Sequence, residues 1–536
     1  MSEVIFRIIA SVVSACLFCF ATRKLLGALQ QSGYKNGVFW RWLMRKDNLA
    51  YNRLAVLTLC LALSTAVTSL CFSFLGVREG LVLSSVPFFG FGFLYLWVDG
   101  KYALKVPLKN TGRAKRLFTV YLLVTALFAF CALTWMDQIA EWNGSAVYAS
   151  VSYVPFALLP AILPFMLLIA NGFNGAFEDL RNARYIKRAA KQLEACPAML
   201  RIGVVGSYGK TSVKRILKTL LSEKYTVVET PESYNTPMGI AKTVFSAEFA
   251  DKQIFIAEMG ARKEGDIEEL CSLVKPDYAL FTGICEQHIQ SFGSLERVWQ
   301  TKSEILRYGV KKAVCGEGLR AYMEKDFEGS IGESILLGGV EVKNARFEAK
   351  KTLFTLVYGE EEIEVETALL GGGAIENISL AAALCKELGL SAEELKKGLE
   401  KLQPVPHRLQ LIEANGAYIL DDGYNCNLRG AKEGIAALGR FDGGKCIVTP
   451  GIVECGVLEE KINGELGKAI AEAKLDKVIL VGDTLVGAVK SGYENAGGEK
   501  ELLTVVPTLA AAQALLAEWV KAGDAVLFLN DLPDVY

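Results

Sequence analysis

The sequence predicts a multi-pass α-helical membrane domain followed by two α/β domains, a central domain of the P-loop type and a Rossmann-like C-terminal domain. Long apolar segments recur in the first third of a 536-residue chain that is 51% hydrophobic. A glycine-rich loop, Gly206-Ser207-Tyr208-Gly209-Lys210-Thr211-Ser212, follows a strand pattern at residues 202–205 and precedes a helical pattern at residues 213–221. Beyond it, strand-like and helical segments alternate to the C-terminus, which is typical of α/β domains.

Five apolar segments predict the helices of the membrane domain, which we place at residues 1–171. They are residues 8–21, 54–77, 81–98, 117–136 and 151–170. The last four contain no Asp, Glu, Lys or Arg and are close to the ~20 residues that a membrane helix needs. The first segment resembles a signal peptide in length. Because Thr22-Arg23-Lys24 is no small-residue cleavage site, we favour an uncleaved helix.

Lys and Arg are concentrated between the first and second segments, between the third and fourth, and after the fifth. By the positive-inside rule these loops are cytoplasmic, so everything after about residue 171 is expected to face the cytoplasm. The formal net charge of −1 gives no reason to expect a nucleic-acid partner. We expect the basic loops to meet anionic membrane lipids instead.

The glycine-rich loop predicts a site for the phosphates of a nucleotide. Its N–H groups and the N-terminus of the following helix face an anion, Lys210 neutralises the β- and γ-phosphates, and Thr211 reaches Mg²⁺. The pattern is G-x-x-G-K-T-S rather than the common G-x-x-x-x-G-K-[ST], because position 204 is Val. This shorter form favours ATP-dependent amide-bond ligases over GTPases and transport ATPases.

The soluble part divides into a linker and two domains. Residues 172–198 predict a juxtamembrane helix, lying along the membrane or serving as a simple connector. The central ATP-binding domain is expected at residues 199–403, with strands at 201–205, 226–228, 254–258, 278–282 and 313–315 and an antiparallel extension at 340–367. The C-terminal domain is expected at residues 404–536, with strands at 418–420, 445–449, 478–481 and 525–529. Ligands are then expected in the cleft between the two domains.

Two further side chains are candidates for metal chemistry. Glu258 ends an apolar strand pattern, and a carboxylate at a strand end beside a phosphate loop is suited to ligate Mg²⁺. His288 follows the strand at 278–282, where a neutral imidazole is able to ligate a second metal ion or orient its ligands. Taken alone, His288 favours an ordinary structural role, and the pattern around Lys302 is typical of a solvated helical lysine.

The soluble motifs resemble those of the Mur ligase family, and most of all its D-alanyl-D-alanine-adding branch. The resemblance covers about residues 199–536 and is carried, in order, by GSYGKTS, TPESYNTPMGI, AEMGARKEGDI, KPDYALFTGICEQHIQSFGSLERVWQTKSEI, PVPHRLQ and ILDDGYNCN. It implies an ATP-dependent acid–amino-acid ligase that forms a C–N bond. Such enzymes activate a carboxylate as an acyl phosphate, which an amine then attacks, and they release ADP and phosphate.

The resemblance also implies roles for individual residues. The implied ATP contacts are Gly206, Ser207, Gly209, Lys210, Thr211, Ser212, Asn377, Arg408, Asp422, Tyr424 and Asn425. The implied catalytic residues are Lys210, His288, Lys302 and Arg408, and the implied ligands of two Mg²⁺ ions are Thr211, Glu258, His288 and Lys302. Lys302 matches a lysine that carries a carbamate, which turns a cation into a metal-binding anion. Two metal ions and two cations would offset the charge that accumulates when a carboxylate attacks a polyphosphate.

The chain departs from the family pattern in four places. Gly373-Ala374 stand where a His-Asn pair is usual, and Gly423 stands where Ser is usual. The last strand runs into Asn530-Asp531-Leu532-Pro533 in place of a Lys-Gly-Ser turn, which leaves the identity of the amine open. The uridine-nucleotide-binding N-terminal domain of the family has its place taken by the predicted membrane segments.

These observations favour a multi-pass ligase of the bacterial cell membrane with cytoplasmic catalytic domains. Its substrates would be the carboxylate of a cell-wall precursor peptide, soluble or lipid-linked, and an amino acid or dipeptide as the amine. One alternative is a membrane synthase that polymerises an amino acid such as glutamate. The other is a non-ligase membrane ATPase, whether transporter or regulator, against which the short phosphate loop and the set of Lys210, Glu258, His288, Lys302 and Arg408 argue.

Overall fold

Apolar helices make up the N-terminal third of the protein, and parallel sheets flanked by helices make up the rest. The structure is a computed structural model, which describes residues 2–44, 49–72, 89–90, 92–97, 108–143, 158–246, 249, 251–286, 289–424, 426–482 and 485–529. The described chain falls into two compact units, one within Met1–Asn182 and one within Ala183–Leu532.

The first unit is helical throughout its described residues. Its helices are α1 (Ser2–Ala21), α2 (Arg23–Gln31), α3 (Asn36–Leu43), α4 (Leu49–Phe72) and α5 (Gly112–Asn143), together with the first part of α6 (Leu159–Glu194). By length and composition, three of the described helices are able to cross a membrane: Val4–Ala21, Gly112–Trp135 and Leu159–Glu194. A shorter apolar helical stretch, Leu54–Ser64, falls in the second predicted segment. Most of the third predicted segment and the start of the fifth lie outside the described residues.

Apolar side chains of this unit face both inward and outward. Phe18, Leu29 and Tyr121 are buried, whereas Leu63, Leu127 and Trp135 are each more than half exposed. A water-soluble helical unit would place polar side chains at such positions.

The second unit begins with a doubly wound domain built on a six-stranded parallel sheet. Its strands are β1 (Leu200–Val205), β2 (Val227–Glu229), β3 (Ile254–Glu258), β4 (Tyr278–Phe281), β5 (Lys312–Cys315) and β6 (Ile335–Leu337), in the order β2-β3-β1-β4-β5-β6. Its helices are α7 (Lys210–Leu221), α8 (Pro237–Val244), α9 (Asp266–Val274), α10 (Ile289–Phe292), α11 (Leu295–Lys302), α12 (Glu304–Arg307), α13 (Arg320–Phe327), α14 (Gly372–Glu387) and α15 (Ala392–Leu399).

Both faces of this sheet are buried, because each strand alternates its side chains between two cores. In β3, Phe255 and Ala257 join one apolar cluster, while Ile254 and Ile256 join the cluster on the other face. An antiparallel sheet of β7 (Glu341–Phe347), β8 (Thr352–Tyr358) and β9 (Glu361–Thr367) packs on the second cluster, as the alternation at residues 340–367 predicts.

The C-terminal domain has a second six-stranded sheet in the order β10-β11-β15-β12-β13-β14. Only β10 runs antiparallel to its neighbour among these described strands, as expected for an edge strand. The strands are β10 (Gln410–Ala414), β11 (Ala417–Asp422), β12 (Lys445–Thr449), β13 (Lys477–Val481), β14 (Leu503–Val506) and β15 (Ala525–Leu529). The helices are α16 (Leu428–Leu438), α17 (Glu459–Glu472), α18 (Val486–Asn495) and α19 (Leu509–Trp519).

Candidate nucleotide-binding site

A cleft of about 530 Å³ opens at the carboxyl ends of β1 and β3. This is where ligands bind in parallel sheets. The cleft brings together most of the predicted site residues: Ser207, Gly209, Lys210, Thr211, Ser212, Glu258, Lys302, Asn377, Arg408, Asp422 and Tyr424. Gly206, the first residue of the glycine-rich loop, is not among the residues that line the cleft. His288 and Asn425 lie outside the described residues.

The loop after β1 packs so closely that two of its positions require glycine. Gly209 adopts a φ of 73°, and Gly206 a φ of 153°. A Cβ atom on Gly206 would lie 1.9 Å from Thr282 Oγ1, and one on Gly209 would lie 2.7 Å from Asn377 Oδ1. The close approach brings the backbone of the loop against β4 and α14, so that α7 begins at Lys210 with its N-terminus at the cleft.

Lys210 and Lys302 both donate to the carbonyl oxygen of Gly206. The Nζ atoms lie 2.8 Å and 3.1 Å from this oxygen, respectively, and Lys210 also donates to Ser207 O at 3.3 Å. Burial lowers the pKa of Lys210. Burial, with the Lys210 ammonium beside it, lowers the pKa of Lys302 to about 7. Lys302 is therefore no solvated helical lysine, since its side chain is 1% exposed.

Glu258, at the end of β3, is buried and held on every side. Thr211 Oγ1 donates to its Oε2 at 3.0 Å, Asn235 Nδ2 donates to its Oε1 at 3.2 Å, and Lys214 Nζ lies 3.3 Å from Oε2. A hydroxyl and a carboxylate in contact are the oxygen ligands that Mg²⁺ takes alongside phosphates and water, so this pair fits the predicted ion. Within the described residues, no group of three or more His, Cys, Asp or Glu is placed to hold a metal ion.

Arg408 and Tyr424 reach this cleft from the C-terminal domain. The Arg408 guanidinium stacks over the Tyr424 ring at 4.6 Å and donates to the Tyr424 carbonyl oxygen at 2.7 Å. The Tyr424 hydroxyl shares a hydrogen bond of 2.8 Å with Ser233 of the central domain. Asp422 accepts from Leu409 N at 3.1 Å, and burial raises the pKa of its carboxyl to about 6.

Sequence reasoning missed a second link between the two domains. Arg429, at the start of α16, donates to the Tyr208 hydroxyl at 2.8 Å, pairs with Glu376 of α14, and stacks over the Tyr208 ring. A phosphate-loop side chain is thus tied directly to the C-terminal domain. Tyr208 belongs to the predicted glycine-rich loop, but nothing in the local sequence indicates its partner, which lies 221 positions away.

The fold and the cleft together define a P-loop enzyme whose nucleotide site is shared by two α/β domains. Residues 204–385 match the family model described as Mur ligase middle domain. A relative in Bacillus subtilis (strain 168), named UDP-N-acetylmuramoyl-tripeptide–D-alanyl-D-alanine ligase, is 30% identical over 349 residues, which cover 61% of this chain and 72% of that protein. The chain belongs to the Mur ligase family, and it is an ATP-dependent enzyme that forms amide bonds.

Other similar proteins carry the same name or the same fold. The Escherichia coli (strain K12) ligase of that name is 27% identical over 339 residues, covering 60% of this chain and 74% of that protein. The crystal structure of the Thermotoga maritima MurF ligase in complex with ADP is 25% identical, has a TM-score of 0.58, and covers 66% of this chain and 81% of that chain. MurF from Acinetobacter baumannii, at 22% identity and a TM-score of 0.59, shares the fold. The predicted two-domain α/β architecture is confirmed by these structures.

Proposed function

We propose that this protein is a membrane-anchored ligase that adds D-alanyl-D-alanine, or a similar amine, to the carboxylate of a peptidoglycan precursor peptide. The observation that carries the proposal is the P-loop cleft, in which Lys210, Thr211 and Glu258 face cations from the second domain. The proposal draws its substrates from the names of the relatives in B. subtilis and E. coli.

The proposed reaction has two steps. A carboxylate oxygen of the precursor attacks the γ-phosphorus of ATP, which forms an acyl phosphate and releases ADP. The amine nitrogen then attacks the acyl carbon, and the tetrahedral adduct loses phosphate and a proton to give the amide. Lys210 and Arg408 line the cleft and would offset the negative charge of the phosphates, and the backbone N–H groups at the start of α7 would donate to the same anion.

Magnesium is the metal that this site would hold. Thr211 and Glu258 would ligate one ion, whose charge would offset that of the phosphates. For a second ion we propose His288 and a carbamylated Lys302. Support comes from the burial of the Lys302 amine against a second lysine, an environment that disfavours its charged form and leaves a neutral amine able to take up CO₂. Loss of activity in bicarbonate-free buffer, restored by bicarbonate, tests the carbamate.

Outside the glycine-rich loop, the residues that we propose to contact ATP are Arg408, Asp422, Tyr424, Asn377 and Asn425. Asp422 would contact the ribose, and Asn377 lies against the glycine-rich loop near Gly209. Substituting Asp422 by Ala tests the ribose contact, since the affinity for ATP should then fall while the affinity for inorganic triphosphate does not.

The amine is proposed to bind in a neighbouring cavity of about 450 Å³. Its lining is mostly apolar and includes Leu428, Ile452 and Ile462, which suits the methyl groups of D-alanyl-D-alanine. Arg429 lines both cavities, so the two sites are adjacent. Substituting Ile452 by Trp would fill the cavity, and it is expected to raise the KM for the amine while leaving the KM for ATP unchanged.

Membrane anchoring is supported by three helices of sufficient length and by their outward-facing apolar side chains. We propose that these helices keep the ligase at the bacterial membrane with its catalytic domains in the cytoplasm, where a lipid-linked precursor would be within reach. Fractionation tests this: the protein should stay in the membrane pellet after carbonate washing and be released by detergent.

The deciding assay is ADP release by the purified, detergent-solubilised protein with Mg²⁺ and with candidate substrates added singly and in pairs. The carboxylate is a muramyl tripeptide, offered as its uridine nucleotide and in lipid-linked form, and the amine is D-alanyl-D-alanine. We expect ADP release only with both substrates, a product heavier by the amine minus water, and release lowered by about 10²–10³-fold in Lys210→Met. ADP release without an acceptor would indicate an ATPase, and a ladder built from one amino acid would indicate a polymerising synthase.

A further inference from the structure

One buried lysine beside the nucleotide site has no part in the proposed chemistry. Lys214 lies one helical turn after Lys210 in α7, and its side chain is 0% exposed. A buried ammonium is retained only where several acceptors compensate for its lost hydration. The contacts of Lys214 therefore show what its charge is used for.

Lys214 holds two different parts of the site at once. Its Nζ lies 3.3 Å from Oε2 of Glu258, and it donates to the carbonyl oxygen of Thr230 at 2.6 Å and to that of Glu232. Glu258 is the proposed Mg²⁺ ligand, and residues 230–235 belong to the segment between β2 and α8. One ammonium thus joins the metal ligand to a loop.

The segment that Lys214 holds contributes to the site from both of its ends. Thr230 Oγ1 accepts from the backbone N–H of Glu258 at 3.1 Å, and Asn235 donates to the other oxygen of that carboxylate. Between them, Glu232 adopts a φ of 44°, a left-handed conformation that costs free energy for any residue but glycine. The Lys214 ammonium is bound to the carbonyl oxygen of this residue, so it stabilises the turn where the backbone is least favourable.

We propose that Lys214 is a positioning residue, which orients the Glu258 carboxylate toward nucleotide-bound Mg²⁺ and fixes the 230–235 segment around it. The inference rests on the proposed role of Glu258 as a Mg²⁺ ligand. Groups that orient a metal ligand without touching the metal typically change its affinity 10- to 100-fold when they are removed. Lys214 differs from Lys210 in this respect, because its Nζ contacts Glu258 and two carbonyl oxygens, and it is not among the residues that line the cleft.

The test measures the affinity of the full-length protein for ADP with Mg²⁺ and with EDTA, in the native chain and in Lys214→Met. In the native chain, Mg²⁺ should tighten ADP binding. In Lys214→Met we expect ADP binding in EDTA to stay within about twofold, and the tightening by Mg²⁺ to fall by about tenfold or more. Lys218→Met is the matched control, one turn further along α7, with a side chain that is 41% exposed and pairs with Glu229. It should behave like the native chain.

A second substitution separates the two parts of the proposed role. We expect Lys214→Met to lower the melting temperature, because the left-handed turn at Glu232 loses its support. Adding Glu232→Gly relieves that turn and should restore the melting temperature, but it should not restore the tightening of ADP binding by Mg²⁺. Restoration of both would show that Lys214 acts only through the loop and would overturn the orientation of Glu258. Undiminished tightening by Mg²⁺ in Lys214→Met would also overturn it. If Mg²⁺ fails to tighten ADP binding in the native chain, the proposed metal site itself is wrong.

Discussion

Replacing Lys302 by Met should make the central domain more stable and, at the same time, inactive. The Lys302 side chain is 1% exposed, and its described hydrogen bond runs to the Gly206 carbonyl oxygen. That oxygen also accepts from Lys210 at 2.8 Å, so it keeps a partner when Lys302 is removed. Methionine has a similar length and needs no hydration, which allows it to occupy the same space without leaving a buried polar group unpaired.

The size of the effect follows from the pKa of Lys302. Burial and the neighbouring Lys210 lower it from 10.5 to about 7. At 1.36 kcal/mol for each pKa unit, this difference corresponds to a cost of about 5 kcal/mol for folding at neutral pH. Loss of the Lys302 hydrogen bond reduces the expected gain in stability by about 1 kcal/mol, and imperfect packing of the methionine reduces it further. We therefore expect Lys302→Met to be more stable by about 2–4 kcal/mol at pH 7.

The dependence on pH has a defined sign. The folded protein binds the Lys302 proton less tightly than the unfolded chain, so its cost is fully present below pH 7 and declines to zero as the pH rises to 10.5. The stability difference between Lys302→Met and the native chain should shrink over that same interval. Amide hydrogen exchange of central-domain peptides, measured in bicarbonate-free buffer at pH 7 and at pH 9.5, reports this difference.

The control for this prediction is Lys325→Met in the same domain. Lys325 is 64% exposed and pairs with Glu296 at 3.4 Å, and an exposed pair of this kind contributes little to stability. A Lys302→Met protein that is less stable than the native chain, or a difference that does not change between pH 7 and pH 9.5, would refute the reasoning. Retained ligase activity would refute the proposed function of Lys302 separately.

Three other substitutions have definite expected outcomes. Lys210→Met should lower kcat by about 10²–10³, measured by ADP release, because the lysine that offsets phosphate charge is lost while its loop contacts are only to backbone oxygens. Gly209→Ala should weaken ATP binding at least tenfold in calorimetric titrations and cost about 1–3 kcal/mol of stability, since φ is 73° and the new Cβ would meet Asn377 Oδ1 at 2.7 Å. Burial raises the pKa of the Asp422 carboxyl from 3.8 to about 6, so its ionisation in the folded protein costs about 1–3 kcal/mol of stability, and this cost is complete only above pH 6. Asp422→Asn should therefore reduce the loss of stability that occurs as the pH rises from 4 to 6. Urea unfolding at pH 4 and pH 7 measures this difference.

The strands that carry the site were predictable because they are buried on both faces. Strands β3, β12 and β15 begin and end at the predicted residues, and each reads as a short continuous apolar run. Continuous runs with sharp polar ends leave little freedom for their boundaries. The loop that follows β1 was equally definite, since glycine at 206 and 209 is required by the backbone.

Three of the four edge strands described in the two six-stranded sheets were missed, whereas the fourth, β2, was predicted. Strands β6 and β14 lie at the edges of their sheets, and β10 is an antiparallel edge strand with partly exposed side chains. Strands β6 and β14 are only three and four residues long, and Gln410 and Glu413 interrupt the apolar pattern of β10, so the pairing partner defines these strands and the local pattern does not. Local pattern was also insufficient in the first unit. Apolar composition predicts the lengths of the long helices there, but it does not predict the short helices α2 and α3.

Contacts between distant residues limited the prediction of the site. Lys214 follows Lys210 by four positions, and a lysine at such a position in a helix is usually solvated. Its burial is explained by its contact with Glu258, which only the fold reveals. Arg429 gave no local signal at all, because its partners Tyr208 and Glu376 come from other segments of the chain. Motifs identified the chemistry, and the packing of the two domains determines which further side chains support it.

The charges in the cleft explain why nucleotide and metal belong together in this site. Lys210 and Lys302 share one carbonyl oxygen, Lys214 lies against Glu258, and Arg408 reaches in from the second domain. Other carboxylates, among them Asp266, Glu269 and Glu433, line the rest of the cleft, so the excess of cations is confined to the glycine-rich loop and its neighbours, where it is complementary to a polyphosphate. A bound triphosphate reverses that balance and supplies the oxygen ligands that Thr211 and Glu258 leave open. Whether a second ion binds would then depend on the chemical state of Lys302. As an ammonium it would repel the ion, and as a carbamate it would ligate it.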